Sequence, residues 1–299
     1  MISNSNTYLD NSCIIKSQEI EKTARKPVFI DASFVLPGSD VNIHENFKQE
    51  HLPDAIFFDI EDISDKNSQL PHMLPSKTYF EQKISALGVN NDDLLIIYGQ
   101  HGMIMGPARV WWMFRVFGHE NIMVLDGGLP AWKTARLPIE SGAPKTRQPT
   151  DYKCKKEKKD LTSGIETVRN VSNNCLCPIL DARPAARYSG NSPEPREKMR
   201  SGHIPNSLNL PCSSLIKEDG TFKTKEEIIH LITQCSLDLQ NNKPKQIILS
   251  CGSGITACAL ALALHYIGYE NYSVYDGSWS EWGHEDSGTE IAKFSQTAA

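Results

Sequence analysis

The stretch Asn121-Ile-Met-Val-Leu-Asp-Gly-Gly-Leu-Pro-Ala-Trp132 returns as Asn271-Tyr-Ser-Val-Tyr-Asp-Gly-Ser-Trp-Ser-Glu-Trp282, and this recurrence decides the architecture. Working outward, three more segments recur in the same order. VFIDAS at 28–33 matches PILDAR at 178–183, EHLPDAIFFDI at 50–60 matches GHIPNSLNLP at 202–211, and LLIIYG at 94–99 matches IILSCG at 247–252. The offset stays between 150 and 153 residues, which a single Asp-Gly coincidence would not produce. A chain of 299 residues has room for two cores, and the repeat makes them two copies of one domain.

Each copy supplies short apolar or β-branched runs: 28–31, 94–98 and 122–125 in the first, 179–181, 247–250 and 272–275 in the second. Helical patterns at 77–87 and 225–235 lie between them. Strands alternating with helices predict an α/β fold in each copy, a mostly parallel sheet flanked by helices on both faces. The expected boundaries are an N-terminal extension at 1–24, a first copy at 25–145, a linker at 146–162 and a second copy at 163–299. The linker reading rests on Gly142, Pro144 and Pro149 followed by the lysine run at 153–159, taken as a solvated face.

Hydrophobic residues make up 39% and charged residues 22%, which excludes disordered, collagenous and membrane-spanning classes. A formal net charge of -5 gives no global basic field for nucleic acid or an anionic bilayer, so any anion must be captured locally. The most apolar stretch, 255–267, is shorter than the roughly 20 residues a membrane span needs and reads as a buried helix. Residues 1–11 lack a basic segment and an apolar core, so neither a secretory nor an arginine-rich transit signal is expected and the predicted location is cytoplasmic. The eight cysteines form no CxxC pair, and neither a metal nor a cofactor is expected.

The chemistry concentrates in Ile247-Ile-Leu-Ser-Cys251-Gly-Ser-Gly-Ile-Thr-Ala257. An apolar strand ending on a cysteine, then small residues, then a helix beginning near Ile255 places the sulfur at a helix N-terminus, where inward loop N–H groups favour the thiolate. Gly252 and Gly254 are expected to let the backbone curl around the sulfur. The corresponding loop of the first copy, 98–105, contains no cysteine, so one active site is expected rather than two. Cys175, Cys177, Cys235 and Cys258 read as small buried hydrophobes.

Two copies with one cysteine loop of the form CGSGITA resemble the tandem rhodanese-domain family of 3-mercaptopyruvate sulfurtransferases. The similarity extends through FFDI at 57–60, PHMLP at 71–75, GPARVWWMFRVFGH at 106–119, DGGLPAW at 126–132, EPR at 194–196, GHIP at 202–205 and DGSWSEW at 276–282. The resemblance implies a Cys251 persulfide that takes sulfur from 3-mercaptopyruvate, releases pyruvate and passes the sulfur to thioredoxin, a small thiol or cyanide. It places carboxylate-binding arginines at Arg187 and Arg196, a loop binding surface at Gly252, Gly254, Ile255 and Thr256, and a proton relay at Ser253, His72 and Glu61. Glu61 stands where the family usually has Asp, which leaves Asp59 and Asp62 as alternative relay acids.

Loop chemistry separates related activities. Thiosulfate sulfurtransferases resemble this chain but carry an Arg-Lys pair after the cysteine, where Gly252 and Ser253 are neutral; losing two cations weakens a dianion more than a monocarboxylate. Phosphatases on this fold end a longer loop in Arg, where this chain has Ala257. A thiosulfate-preferring enzyme and a non-catalytic interaction module remain the alternatives, the latter excluded by a one-sulfur mass gain on Cys251. Trp111, Trp112, Phe114 and Phe117 read as core, Trp279 and Trp282 as walls of the second copy's cleft, and Asp126 and Asp276 as equivalent Asp-Gly turns.

Overall fold

The computed structural model describes residues 13–294 apart from Pro37 and Gln240, so the reading of residues 1–11 lies outside the described residues. Two sheets with the same topology follow one another along the chain. The first contains β1 (Ile14–Ile15), β2 (Val28–Asp31), β3 (Ile56–Phe57), β4 (Leu95–Tyr98) and β5 (Ile122–Leu125), in the order β1-β5-β4-β2-β3. The second contains β6 (Thr162–Ser163), β7 (Ile179–Asp181), β8 (Ser207–Asn209), β9 (Ile247–Ser250) and β10 (Tyr272–Tyr275), in the order β6-β10-β9-β7-β8. Every pairing between these strands is parallel. Helices α1 (Ile43–Gln49), α2 (Lys77–Ala86), α3 (Met105–Val116) and α4 (Gly128–Thr134) serve the first sheet. Helices α5 (Ile165–Asn174), α6 (Ala185–Tyr188), α7 (Lys225–Gln234), α8 (Ala257–Tyr266) and α9 (Ser278–Trp282) serve the second.

Both sheets begin outside the recurring segments. Ile14 and Ile15 pair with Val124 and Leu125, and Thr162 and Ser163 pair with Val274 and Tyr275, each covering an otherwise open edge beside the last strand of its copy. The segment between the copies is no free tether. Thr150 N donates to Ser85 O, Arg147 Nε donates to Gly88 O, and Tyr152 and Cys154 are buried in the main core while Lys153 between them stays exposed.

Register corrects the sequence alignment of the fourth strands by one residue. Phe29 pairs with Ile96 and Ile179 with Ile248, so Gly99, and not Tyr98, stands where the second copy has Cys251. Hydrogen bonding repeats the equivalence: Leu129 N donates to Gly99 O and Trp279 N donates to Cys251 O.

The copies meet through α3 and α8. The apolar sequence of α8 is buried all round, as expected of a helix inside a core rather than on a surface, and it packs against the buried Trp111 and Trp112 face of α3. The four aromatic residues read as core are buried, Phe117 just beyond the end of α3. Asp126 Oδ1 accepts from Phe222 N at 2.7 Å and Asp276 Oδ2 accepts from Leu74 N at 2.6 Å, so the two Asp-Gly turns make reciprocal bonds across the interface. No helix among the described residues is long and apolar enough to cross a membrane.

Candidate active site

Cys251 follows β9 directly, and β9 lies beside β7. The connection from β7 leads to β8 on one side and the connection from β9 leads to β10 on the other, so the carboxyl ends of β7 and β9 flank a topological switch point, where open parallel sheets form crevices. A cavity of about 430 Å³ opens there, with Cys251, Gly252, Ser253, Ile255 and Thr256 from the loop and Arg187 and Arg196 from the segment after β7 in its lining. The first copy closes the other side with Phe34, Leu36 and Met105. Cys251 is only 1% exposed, so a sulfur donor must enter the cavity to reach it.

The loop runs 251–256 and the helix starts at Ala257, two residues later than the expected start near Ile255. Only one of its two glycines needs glycine's conformational freedom. Gly254 has φ +76, and a Cβ there would meet Asp276 O at 2.6 Å. Gly254 therefore packs against Asp276 and Arg109 at the interface and is not part of the cavity lining. Gly252 has no left-handed φ; its smallness matters because a Cβ would lie 3.2 Å from Arg187 Nη2 and 3.9 Å from Arg196 Nη1. Both guanidinium groups thus converge over the peptide next to the sulfur.

Two residues not anticipated from the sequence hold this geometry. Ser278, at φ +50 where its counterpart Gly128 has φ +55, accepts from Cys251 N at 3.1 Å and donates to Tyr275 O at 2.7 Å, with its Oγ 3.9 Å from Cys251 Sγ. Glu194 is buried between two arginines: Oε1 lies 2.9 Å from Arg183 Nη1, while Oε2 accepts from Arg187 Nε at 3.1 Å and from its Nη2. Arg183 is further fixed by Asp181, whose Oδ2 lies 2.7 Å from its Nη2, and by stacking over the Trp279 ring. The sequence PEPRE at 193–197 puts a glutamate on each side of the candidate binding arginine, and it is Glu194 that turns to Arg183 and Arg187. Trp279 and Trp282 are not cavity walls; both are buried in a core cluster on the opposite face, with indole N–H groups on Arg200 O and Glu290 O.

The relay residues come together with a guanidinium among them. Glu61 Oε1 lies 2.7 Å from His72 Nδ1, and Arg196 Nη2 is 3.3 Å from both His72 Nε2 and Ser253 Oγ. The expected direct Ser253–His72 link is thus replaced by a link through Arg196, because the guanidinium occupies the space between them. The two alternative acids are engaged elsewhere: Asp59 Oδ1 accepts from Glu61 N and Asp62 N, and Asp62 pairs with Lys83 at 2.6 Å. The hydrogen bond to His72 holds the Glu61 carboxyl below its ordinary range. Burial, reinforced by the positive charge of Arg187, pushes the Arg196 guanidinium down. Among the described residues, no group of three or more His, Cys, Asp or Glu side chains is arranged to hold a metal ion.

A cysteine at the end of a central strand in a two-copy fold, with guanidinium groups over its loop, is a candidate sulfurtransferase site. The family model of the rhodanese-like domain matches residues 23–135 and 164–285, and the chain belongs to that family as a tandem-domain member of the 3-mercaptopyruvate sulfurtransferase group. The 3-mercaptopyruvate sulfurtransferase of Escherichia coli K12 is 40% identical over 255 residues, covering 85% of this chain and 88% of its own. The mitochondrial thiosulfate/3-mercaptopyruvate sulfurtransferase 1 of Arabidopsis thaliana is 38% identical over 273 residues, covering 85% of this chain and 70% of its own. The crystal structure of SseA from Escherichia coli, a 3-mercaptopyruvate sulfotransferase with the rhodanese fold, superposes with a TM-score of 0.80 at 34% identity, covering 90% of this chain and all of that one.

Proposed function

We propose that the chain transfers sulfur from 3-mercaptopyruvate to a thiol through a persulfide on Cys251. The observation that carries this reading is the convergence of Arg187 and Arg196 over Gly252 beside Cys251. Planar guanidinium groups there are suited to hold a carboxylate while the rest of a short keto acid points at the sulfur. The Cys251 thiolate attacks the substrate's sulfur, the S–S bond forms as the carbon–sulfur bond breaks, and the bonding pair leaves as the enolate of pyruvate. A proton delivered from the Ser253, Arg196, His72 and Glu61 cluster or from water converts the enolate to pyruvate. An acceptor thiolate then attacks the outer sulfur and returns Cys251 as thiolate. Thioredoxin, a small thiol and cyanide are the acceptor classes the site would serve.

Mixing the protein with 3-mercaptopyruvate and a thiol should yield pyruvate, and Cys251→Ser should abolish it; pyruvate formation indifferent to that substitution would sink the proposal. The second reading is thiosulfate as donor, favoured by the name of the Arabidopsis relative. The ratio of kcat/KM for the two donors decides between them. A cytoplasmic location is supported by the eight cysteines, all free thiols, as a reducing compartment would keep them.

A further inference from the structure

We propose that Arg109, which belongs to the copy without a nucleophile, is the positioning residue that sets the shape of the Cys251 loop. The inference rests on Cys251 being the nucleophile. Arg109 lies on α3 and its side chain is 0% exposed. Its Nη1 is 2.5 Å from Asp276 Oδ1 and 3.3 Å from Gly254 O, and its Nη2 donates to His72 O. The guanidinium stacks 4.7 Å from the Trp112 ring. One side chain thus holds the backbone of the cysteine loop, the Asp-Gly turn of the second copy and the backbone of the relay histidine.

The partners are conformationally demanding. Gly254 and His72 are both in the left-handed region, at φ +76 and +59. A displaced Gly254 peptide would alter the position of Ser253 one residue earlier, and a displaced His72 would lose its place against Arg196. Asp276, held by Arg109 through one oxygen, accepts from Leu74 N through the other. Docking of the two copies and shaping of the active site are therefore one event with Arg109 at its centre. An interface needing only adhesion would be served as well by apolar residues, because a buried ion pair sacrifices much of its attraction to desolvation. A flat fork of several donors is what lets one residue satisfy a carboxylate and carbonyls from both copies together. Arg109 lines no part of the cavity, so its effect on the reaction is through the loop.

Two variants test this. Arg109→Met with Asp276→Leu removes both buried charges at once and strands neither, and Arg109→Lys keeps the charge but loses the fork. Thermal unfolding reports folding, single-turnover persulfidation of Cys251 reports the loop, and steady-state assays give kcat and KM. The double variant should fold and show at least a tenfold fall in kcat and in the persulfidation rate, with KM within about threefold of wild type. Arg109→Lys should fall between the two. A folded double variant with wild-type kcat overturns the inference, and if that variant does not fold, Arg109→Lys with wild-type kcat overturns it alone. Failure of the wild-type protein itself to persulfidate Cys251 would instead refute the proposed function.

Discussion

Arg196 Nη2 lies 3.3 Å from His72 Nε2 and the same distance from Ser253 Oγ, so one guanidinium joins the two. Arginine can only donate, so Nε2 is the acceptor in that contact, and Nδ1 lies 2.7 Å from Glu61 Oε1. The imidazole thereby lies between a guanidinium on one side and a carboxylate on the other. Ser253, which lines the cavity as His72 and Glu61 do not, should matter most of these three. Ser253→Ala is expected to lower kcat with 3-mercaptopyruvate about 100-fold, within the range for loss of a positioned proton donor. Glu61 is 61% exposed, so water competes for its partner, and Glu61→Gln should cost only roughly two- to fivefold. Wild-type turnover in both variants would assign enolate protonation to water.

Glu194 ties Arg183 to Arg187 from a buried position, and removing its charge leaves two guanidinium groups short of a partner. Glu194→Gln is expected to destabilise the protein by about 3 kcal/mol, the usual scale for breaking a buried pair. The KM for 3-mercaptopyruvate should rise about tenfold as Arg187 loses its fixed orientation, one lost charge-assisted contact. An unchanged KM in a folded variant would mean that Arg187 needs no such support.

Donor choice follows from charge next to the sulfur. Gly252→Arg with Ser253→Lys should raise the kcat/KM ratio of thiosulfate to 3-mercaptopyruvate at least about tenfold, since a dianion gains more than a monoanion from two added cations. The same change should damage the keto-acid reaction, because any side chain at 252 crowds Arg187 Nη2. A ratio that stays put removes loop charge as the basis of selectivity.

Six strands were legible because each is a short, wholly buried run; the structure bounds 28–31, 122–125, 179–181, 247–250 and 272–275 as read and begins β4 at Leu95, whereas β1, β3, β6 and β8, two or three residues long and only partly buried, were not read. The same burial explains the misplaced register of β4. A strand covered on both faces shows no apolar–polar alternation, so Tyr98 and Gly99 look equally good opposite Cys251 until pairing is seen. The cysteine and the two arginines stood out as residue types in a local motif. Glu194 and Ser278 did not, because their roles come from segments meeting after β7 and β10. Trp279 and Trp282 were misread for a related reason: adjacency to the loop in the fold says nothing about which face of a short helix turns inward.

Cys212 lines the same cavity as Cys251, yet the two thiols should behave oppositely. Burial pushes Cys212 up to about 11, so it stays protonated at neutral pH and is a poor nucleophile. Incubation with 3-mercaptopyruvate at pH 8 without acceptor should add one sulfur to Cys251 and none to Cys212 by peptide mass spectrometry. A persulfide on Cys212 at that pH would contradict this division of roles.

His265 gives the fold an acid sensitivity that can be measured apart from activity. It sits at the end of α8 against the Trp111 ring, 5.3 Å between centroids, at the interface of the two copies. Burial, reinforced by the positive charge of Arg115, lowers it to about 4, while an unfolded histidine titrates near 6.5. Between these values the unfolded chain binds the extra proton and the folded one does not, so stability falls as pH drops from about 6.5 towards 4 and the contribution is fully present above that window. The loss at the lower end is on the order of 2–3 kcal/mol. Urea unfolding of wild type and His265→Gln at pH 7.5 and 4.5 isolates the effect, because every other acid-sensitive group is common to both proteins. Wild type should lose about 2 kcal/mol more than the variant over that interval, and parallel losses would show that protonation of His265 is not resisted by its burial against α3.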